Sequence, residues 1–317
     1  EASPLEITSS PSLNLLIEPD GTLRVTSVHE QIFSSPYTFV GAAFPQTSVP
    51  YAALREAGLA IGKACFERGL IGYMGIDFVS FFDNDGQLRL WAVDLNPRLT
   101  HTAVTFSFFD FLVGGSFDVV NGRYSISTDG KAEGGKEGGS GPQQRSYVMN
   151  EMLYHPGLKA IHHSAFFHMC RLKGVSFDLQ EKGGTVFNLM DSFMGGVIGI
   201  VAVGTSILDS LRKFADCLDF IQKQVGPATG GKPSSMTHEV SFKDVIKSIK
   251  ALVDSQVGDN NKHTSQPMPL PAPSQLKLNA PALAEMLPSS GPALPAIAGQ
   301  QLKPLPAPSK RYLDTKQ

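Results

Sequence analysis

The sequence predicts an α+β protein: an antiparallel sheet flanked by helices, then a disordered Pro-rich tail. Three observations lead there. Two pairs of β-rich runs are each joined by turn chemistry, Glu18-Pro19-Asp20-Gly21 and Asp83-Asn84-Asp85-Gly86, which is the signature of hairpins and hence of antiparallel pairing. Apolar residues recur at helical spacing in several segments between and after these runs. From Asn260 the composition changes: eleven of the 22 prolines fall between Gln266 and Ser309, with few aromatics and no regular apolar period, so disorder with polyproline II character is expected.

Taken in order, Leu13 to Ile17 and Thr22 to Val28 read as the first strand pair. Pro50 then opens a helix whose Tyr51, Leu54, Gly58, Ile61 and Cys65 share one face, and Gly69 closes it. The second hairpin has strands near Gly75 to Phe82 and Gln87 to Asn96. With Asp83 to Gly86 as its loop, Phe82 faces Gln87 and Asp77 faces Ala92. Thr100 or Thr102 caps an apolar helix from about Ala103 to Val113, stopped by Gly114 and Gly115. Its N-terminus is expected to point toward the hairpin, an orientation that favours anions.

The glycine-rich stretch Asp129 to Gln144 has neither a preceding apolar strand nor a GKS or GKT ending, so a flexible insertion fits better than a phosphate loop. Order returns at Arg145 to Val148. Phe177 to Leu179, Thr185 to Leu189 and Val197 to Val203 read as strands, the last apolar on both faces and so central in its sheet. Ile207, Leu208, Leu211, Phe214, Leu218, Ile221 and Val225 form the clearest helical stripe. Ser241 to Val257 is a further amphipathic helix, with Ser241 and Asp244 as a capping box. The expected organisation is a lobe over residues 1–128, an insertion over 129–146, an α/β extension over 147–258 and a tail over 259–317.

Size and composition exclude several classes. An apolar content of 42% over 317 residues supports a substantial core. The formal charge of −2, from 27 basic and 29 acidic residues, creates no field that draws the chain to nucleic acid or membrane. The longest apolar run, Phe193 to Val203, is too short for a bilayer, which needs about 20 residues. Cys65, Cys170 and Cys217 are odd in number and widely spaced, without a CxxC pair, and read as reduced thiols in a cytoplasmic protein. His155, His162, His163 and His168 lack a carboxylate or thiolate at ligand spacing, so they read as packed or surface histidines.

The second hairpin carries the chemistry. It sets acidic and amide side chains into apolar strands, and period-2 alternation puts Asp77, Asp94 and Asn96 on one face. Such diagonal neighbours lie roughly 7–8 Å apart, within reach of a shared hard cation. Arg98, just behind Pro97, supplies a fork of donors suited to phosphate or carboxylate. A plainer reading stays open: Asp77 as a buried carboxylate tied to backbone amides, with Asn96-Pro97 ending a strand. His29 and Gln31 alternate onto one face of the second strand and either reach the same ligand or pack structurally.

These residues resemble the hallmark of ATP-grasp ligases, an acid on one strand followed by Glu-x-Asn-Pro-Arg on the next. Here Asp77, Asp94, Asn96 and Arg98 stand in those positions, with Asp94 one methylene shorter than the hallmark glutamate. Leu13 to Phe33, Gly41 to Pro45, Gly69 to Arg98 and Arg145 to Val148 resemble, in order, the pheganomycin-type peptide ligase branch, and FDLQEKGGTVFNLMDSF is similar to an animal branch whose members carry an IQ motif. Family members tend to carry His where Asn188 stands.

The resemblance implies an ATP-grasp-like C-terminal lobe with half of a Mg-ATP site. Asp77, Asp94 and Asn96 are the metal ligands, Asn96 and Arg98 contact ATP, and Arg98 serves catalysis. ATP and a carboxylate would be the substrates of an active ligase. The chain opens at Glu1 rather than Met, so a fragment lacking the upstream nucleotide-clamping lobe is expected, inactive toward ATP by itself. The alternative implied is a pseudo-ligase, a regulatory or scaffold protein of sperm or cilia with protein partners for its Pro-rich tail. Ile221-Gln222 lacks the basic residues of an IQ motif, so calmodulin would bind through sequence outside this chain.

Overall fold

The computed structural model describes residues 6–35, 37–127, 142–189, 195–225 and 240–262. The tail beyond Lys262, and all but the last residues of the glycine-rich insertion, lie outside them, and the first four residues of the expected 259–317 tail belong instead to the last helix. The elements are β1 (Pro11–Ile17), β2 (Leu23–Ser35), β3 (Thr38–Phe44), α1 (Tyr51–Phe66), β4 (Gly72–Phe82), β5 (Leu88–Asn96), α2 (His101–Val113), β6 (Ser116–Asp118), β7 (Arg123–Ile126), β8 (Gln143–Gln144), β9 (Ser146–Tyr154), α3 (His163–Lys173), β10 (Gly184–Asn188), β11 (Val197–Gly204), α4 (Ile207–Val225), β12 (Val240–Ser241) and α5 (Phe242–Lys262).

The main sheet runs β10-β11-β9-β3-β2-β1-β4-β5, with β12 added beside β9. All of its pairings are antiparallel except β12 with β9. The fold is therefore α+β, as expected. The β3–β9 pairing joins the strands before the glycine-rich stretch to those after it in one sheet. A small second sheet orders β6-β7-β8.

Alternation along the strands divides two cores. Val40, Ala43, Val148, Ile198, Ile200 and Ala202 face α3, α4 and α5, where Phe166, Phe214, Leu218, Phe242, Val245 and Ile249 pack against them. Ala42, Phe44, Tyr147, Met149, Val201 and Val203 face the other way, onto Phe106, Phe109 and Val113 of α2 and Tyr124 of β7. That β11 feeds both cores explains its unbroken apolar run. Helix α1 lies on β1 through its small residues: a Cβ at Gly58 would stand 2.8 Å from Leu13 Cδ2 and oblige that side chain to shift.

Several expectations need correction. Residues 177–179 form no strand; they make turns held by isolated bridges, Ser176 to Thr185 and Asp178 to Gly183. Strand β3 was not anticipated, because its small residues carry no clear period. β11 is second from the sheet edge, between β10 and β9. The helix expected over 241–257 runs from Phe242 to Lys262 and docks through Phe242, Val245, Ile246 and Ile249; the capping side chains of Ser241 and Asp244 lie outside the described residues. Cys65, Cys170 and Cys217 are free and buried. No helix among the described residues is long and apolar enough to cross a membrane.

Candidate functional site

The site grows from an irregular hairpin. Asp83 organises a five-residue connection: its N–H bonds the Gln87 carbonyl at 2.9 Å, and its Oδ1 accepts from the N–H groups of Asp85 (3.0 Å) and Gln87 (2.8 Å). Phe82 therefore pairs with Leu88, not Gln87, shifting the expected register by one. A bulge between Asp77 and Phe78 on one side, and Asp94 and Ala92 on the other, shifts it again. Asp77 thus faces Asp94 rather than Ala92, and Asp94 leaves the face Ala92 occupies. Two one-residue shifts cancel in parity, so the expected grouping on one face survives through a different pairing.

Asn96 ties the cluster together. Its Nδ2 donates to Asp77 Oδ2 at 3.2 Å and to Asp94 Oδ2 at 3.0 Å, while its Oδ1 accepts from Arg98 Nη2 at 3.3 Å. Across β1, Gln31 Nε2 donates to Asp77 Oδ1 at 2.7 Å. Asp77 and Asn96 are half-buried, whereas Asp94 and Arg98 are exposed. Burial, then the neighbouring Asp94 carboxylate, pushes the Asp77 carboxyl up to about 6, against the opposing pull of Arg98, Asn96 and Gln31. All four residues read from the sequence stand together, and Gln31 joins them.

Helix α2 is pinned beside this cluster. Thr100 Oγ1 accepts from Ala103 N–H at 3.2 Å and donates to Asn14 Oδ1 at 2.6 Å; Asn14 Nδ2 in turn donates to Thr102 Oγ1 at 3.0 Å and Ser27 Oγ at 3.1 Å. Gly75, paired with both Asn14 and Asn96, leaves room for this: a Cβ there would meet Thr100 Cγ2 at 2.6 Å. The first turn of α2 is therefore held against Asn14 of β1 and Gly75 of β4, the partner of Asn96, with its cap occupied by protein groups.

Two contributions escaped the sequence. Glu151 on β9 pairs with His101 Nδ1 at 2.7 Å and accepts from Thr105 Oγ1 at 2.8 Å, joining α2 to β9; the hydrogen bond to Glu151 raises the His101 imidazole above its usual range. His29 does not reach the cluster's solvent side: it is fully buried, its Nε2 lies 2.7 Å from Tyr147 Oη, and burial lowers its imidazole to about 3. Neither partner was legible, since β9 enters the sheet from far downstream, Tyr147 lying 118 positions beyond His29. Of the other histidines, His155 and His162 accept backbone N–H groups at helix starts, as structural histidines do.

Among the described residues no group of three or more His, Cys, Asp and Glu side chains is arranged to hold a metal ion. A donor set of two carboxylates and an amide is a different case. Asp77 and Asp94 face one another, and their mutual repulsion contributes to the raised Asp77 carboxyl, a penalty that a bound divalent cation relieves. Asn96 would have to turn its carbonyl toward such an ion, exchanging the amide nitrogen that now faces both carboxylates. The residues fit a hard cation on those terms.

Residues 1–120 match a family described as IQCH-like, ATP-grasp. The chain is 25% identical to IQ motif-containing protein H of Danio rerio over 257 residues, 80% of this chain and 23% of that protein. It is 33% identical over 109 residues to an L-propargylglycine–L-glutamate ligase of Streptantibioticus cattleyicolor, covering 34% of this chain and 22% of the ligase. The chain thus spans less than a quarter of each relative. Among solved structures, the ADP complex of an N5-carboxyaminoimidazole ribonucleotide synthetase matches at TM-score 0.41 and 15% identity, over 70% of this chain and 52% of that one, too loose a likeness to argue from. Through residues 1–120 the chain is similar to the IQCH-like ATP-grasp family, and through most of its length to IQ motif-containing protein H.

Proposed function

We propose that Asp77, Asp94, Asn96 and Arg98 form half of a Mg-ATP site in a protein that joins a carboxylate to an amine. The observation that supports this is their convergence beside the first turn of α2, with Gln31 holding Asp77. Asp77, Asp94 and Asn96 would hold the magnesium, which would supply charge neutralisation for phosphoryl transfer. Gln31 fixes one Asp77 oxygen and leaves the other directed at Asn96. Arg98, exposed and without a carboxylate partner among the described residues, steadies the transferred phosphoryl group or the substrate carboxylate. Because the chain spans less than a quarter of each relative's length, the activity is proposed for the intact protein rather than for this chain by itself. In this reading residues 1–128 are the lobe that carries the site and 147–258 an extension of its sheet.

One observation favours a second reading. The amide of Asn96 satisfies both carboxylates while its carbonyl satisfies Arg98, so the cluster closes upon itself without any ligand. Together with the short Asp94, that suits a pseudo-ligase working as a regulatory scaffold of sperm or cilia, its Pro-rich tail meeting protein partners and calmodulin binding elsewhere. Calorimetry of Mg-ATP binding to the intact protein, paired with an assay for phosphate and ligated product, separates the two. Binding with turnover that Asp94→Asn abolishes supports the ligase; binding without product under any carboxylate and amine tried, or no binding at millimolar ATP, leaves the scaffold.

A further inference from the structure

Three adjacent strands present a row of polar side chains on the α2 side of the sheet. Ser12 of β1 pairs with His29 of β2 on one side and with Asp77 of β4 on the other. Directly opposed residues in antiparallel ladders project to the same face with their Cβ atoms about 5 Å apart. His29, Ser12 and Asp77 therefore stand side by side. Asp77 is satisfied by Gln31 and Asn96, and His29 Nε2 by Tyr147. The two atoms left between them, Ser12 Oγ and His29 Nδ1, are fully buried and have no hydrogen-bond partner among the described residues.

Isolated buried orphans are costly and rare. Here two occur on neighbouring residues in one row; the third such atom, Thr26 Oγ1, belongs to the irregular stretch where β2 slips against β1 and is not in that row. A common partner answers both at once. We infer that Ser12 and His29 form a polar subsite beside Asp77, which takes one uncharged hydrogen-bonding group. Charge is disfavoured on both sides. The adjacent Asp77 carboxylate repels an anion. A cation is drawn instead to the Asp77 carboxylate, whose oxygens face Gln31 and Asn96, because Ser12 and the buried His29 beside the Phe44 and Tyr147 rings carry no charge to hold it. The group is either water or the hydroxyl or neutral amine head of a substrate. The inference rests on the proposed Mg-ATP site for its significance and on the sheet register for its position.

The test is a crystal structure of the intact protein at a resolution that shows ordered water, determined alone and with Mg-ATP. The expected result is a density peak within about 2.6–3.2 Å of both Ser12 Oγ and His29 Nδ1. A peak that persists as water in both crystals identifies the solvent source, and one replaced by a substrate atom when carboxylate and amine are added identifies the substrate. A dry gap, or a direct Ser12–His29 hydrogen bond, overturns the inference. Ser12→Ala supplies a second readout that tolerates small losses of stability: the peak should vanish, and the imidazole nitrogen resonances of His29 should shift in NMR spectra. Unchanged resonances in the folded variant would also overturn it. Failure here leaves Mg-ATP binding by calorimetry untouched, and failure of Mg-ATP binding leaves the density peak untouched, so the two claims fall separately.

Discussion

Replacing Asp77 by Asn should make the ligand-free protein more stable at alkaline pH than the parent, an inversion of what removing a hydrogen-bonded residue normally does. The Asp77 carboxyl is raised from 3.8 to about 6 by burial and by Asp94. A raised acid binds its proton more tightly folded than unfolded, so between these two values the folded state carries more protons and loses stability as pH rises. Above both values the cost reaches about 3 kcal/mol, at 1.36 kcal/mol per unit of displacement. It is an upper figure, because Asp77 is only partly shielded from solvent. Asn cannot ionise and so avoids the cost, while still accepting from Gln31.

Urea unfolding of parent and variant at pH 4 and pH 8 is the assay. The difference in stability should move toward the variant by up to about 2.4 kcal/mol between those pH values. Saturating Mg²⁺ should reduce the movement by stabilising only the parent. A variant destabilised equally at both pH values would refute the reasoning, since it would mean that Asp77 is ionised without strain.

Three further outcomes follow from the same geometry. Gly75→Ala sets a Cβ 2.6 Å from Thr100 Cγ2; overpacking of this kind costs about 1–3 kcal/mol, and urea midpoints should fall accordingly. Thr100→Ala removes both the α2 cap and the bond to Asn14; a loss of about 1–2 kcal/mol is expected, with faster amide exchange at Thr102 and Ala103. The His101 to Glu151 pair contributes stability that is full below pH 6.5 and fades as pH rises past the raised His101 value. The stability difference between parent and His101→Gln should therefore shrink from pH 6 to pH 9; a constant difference would contradict the pairing.

Much of this was legible because it rests on local rules. The turn residues near Asp20 and Asp85, the Thr100 cap, Gly114 in its left-handed conformation and the α4 stripe are all set within a few residues of sequence, and all stand where local chemistry puts them. The hairpin shows the limit of such rules. Sequence placed Asp77, Asp94 and Asn96 on one face, yet by a pairing that the structure replaces twice, at the Asp83 to Gln87 connection and at the bulge beside Asp94. Bulges answer to packing on both faces of a sheet and leave no local mark. β3 was missed because Gly41, Ala42 and Ala43 have small side chains whose burial comes from β9 and β2, not from their own period. His29 beside Tyr147, and His101 beside Glu151, depend on where β9 enters the sheet, which is a property of topology rather than of any segment.

The central claim is that Asp77, Asp94, Asn96 and Arg98 gather around one ionic ligand. Manganese in place of magnesium makes it measurable: electron paramagnetic resonance of the intact protein titrated with Mn²⁺ and ATP. The account predicts one strongly bound ion per chain in the presence of ATP, lost in Asp77→Asn and Asp94→Asn, with Arg98→Ala weakening the nucleotide-dependent signal at least tenfold. Ion binding unaffected by both aspartate variants would contradict it.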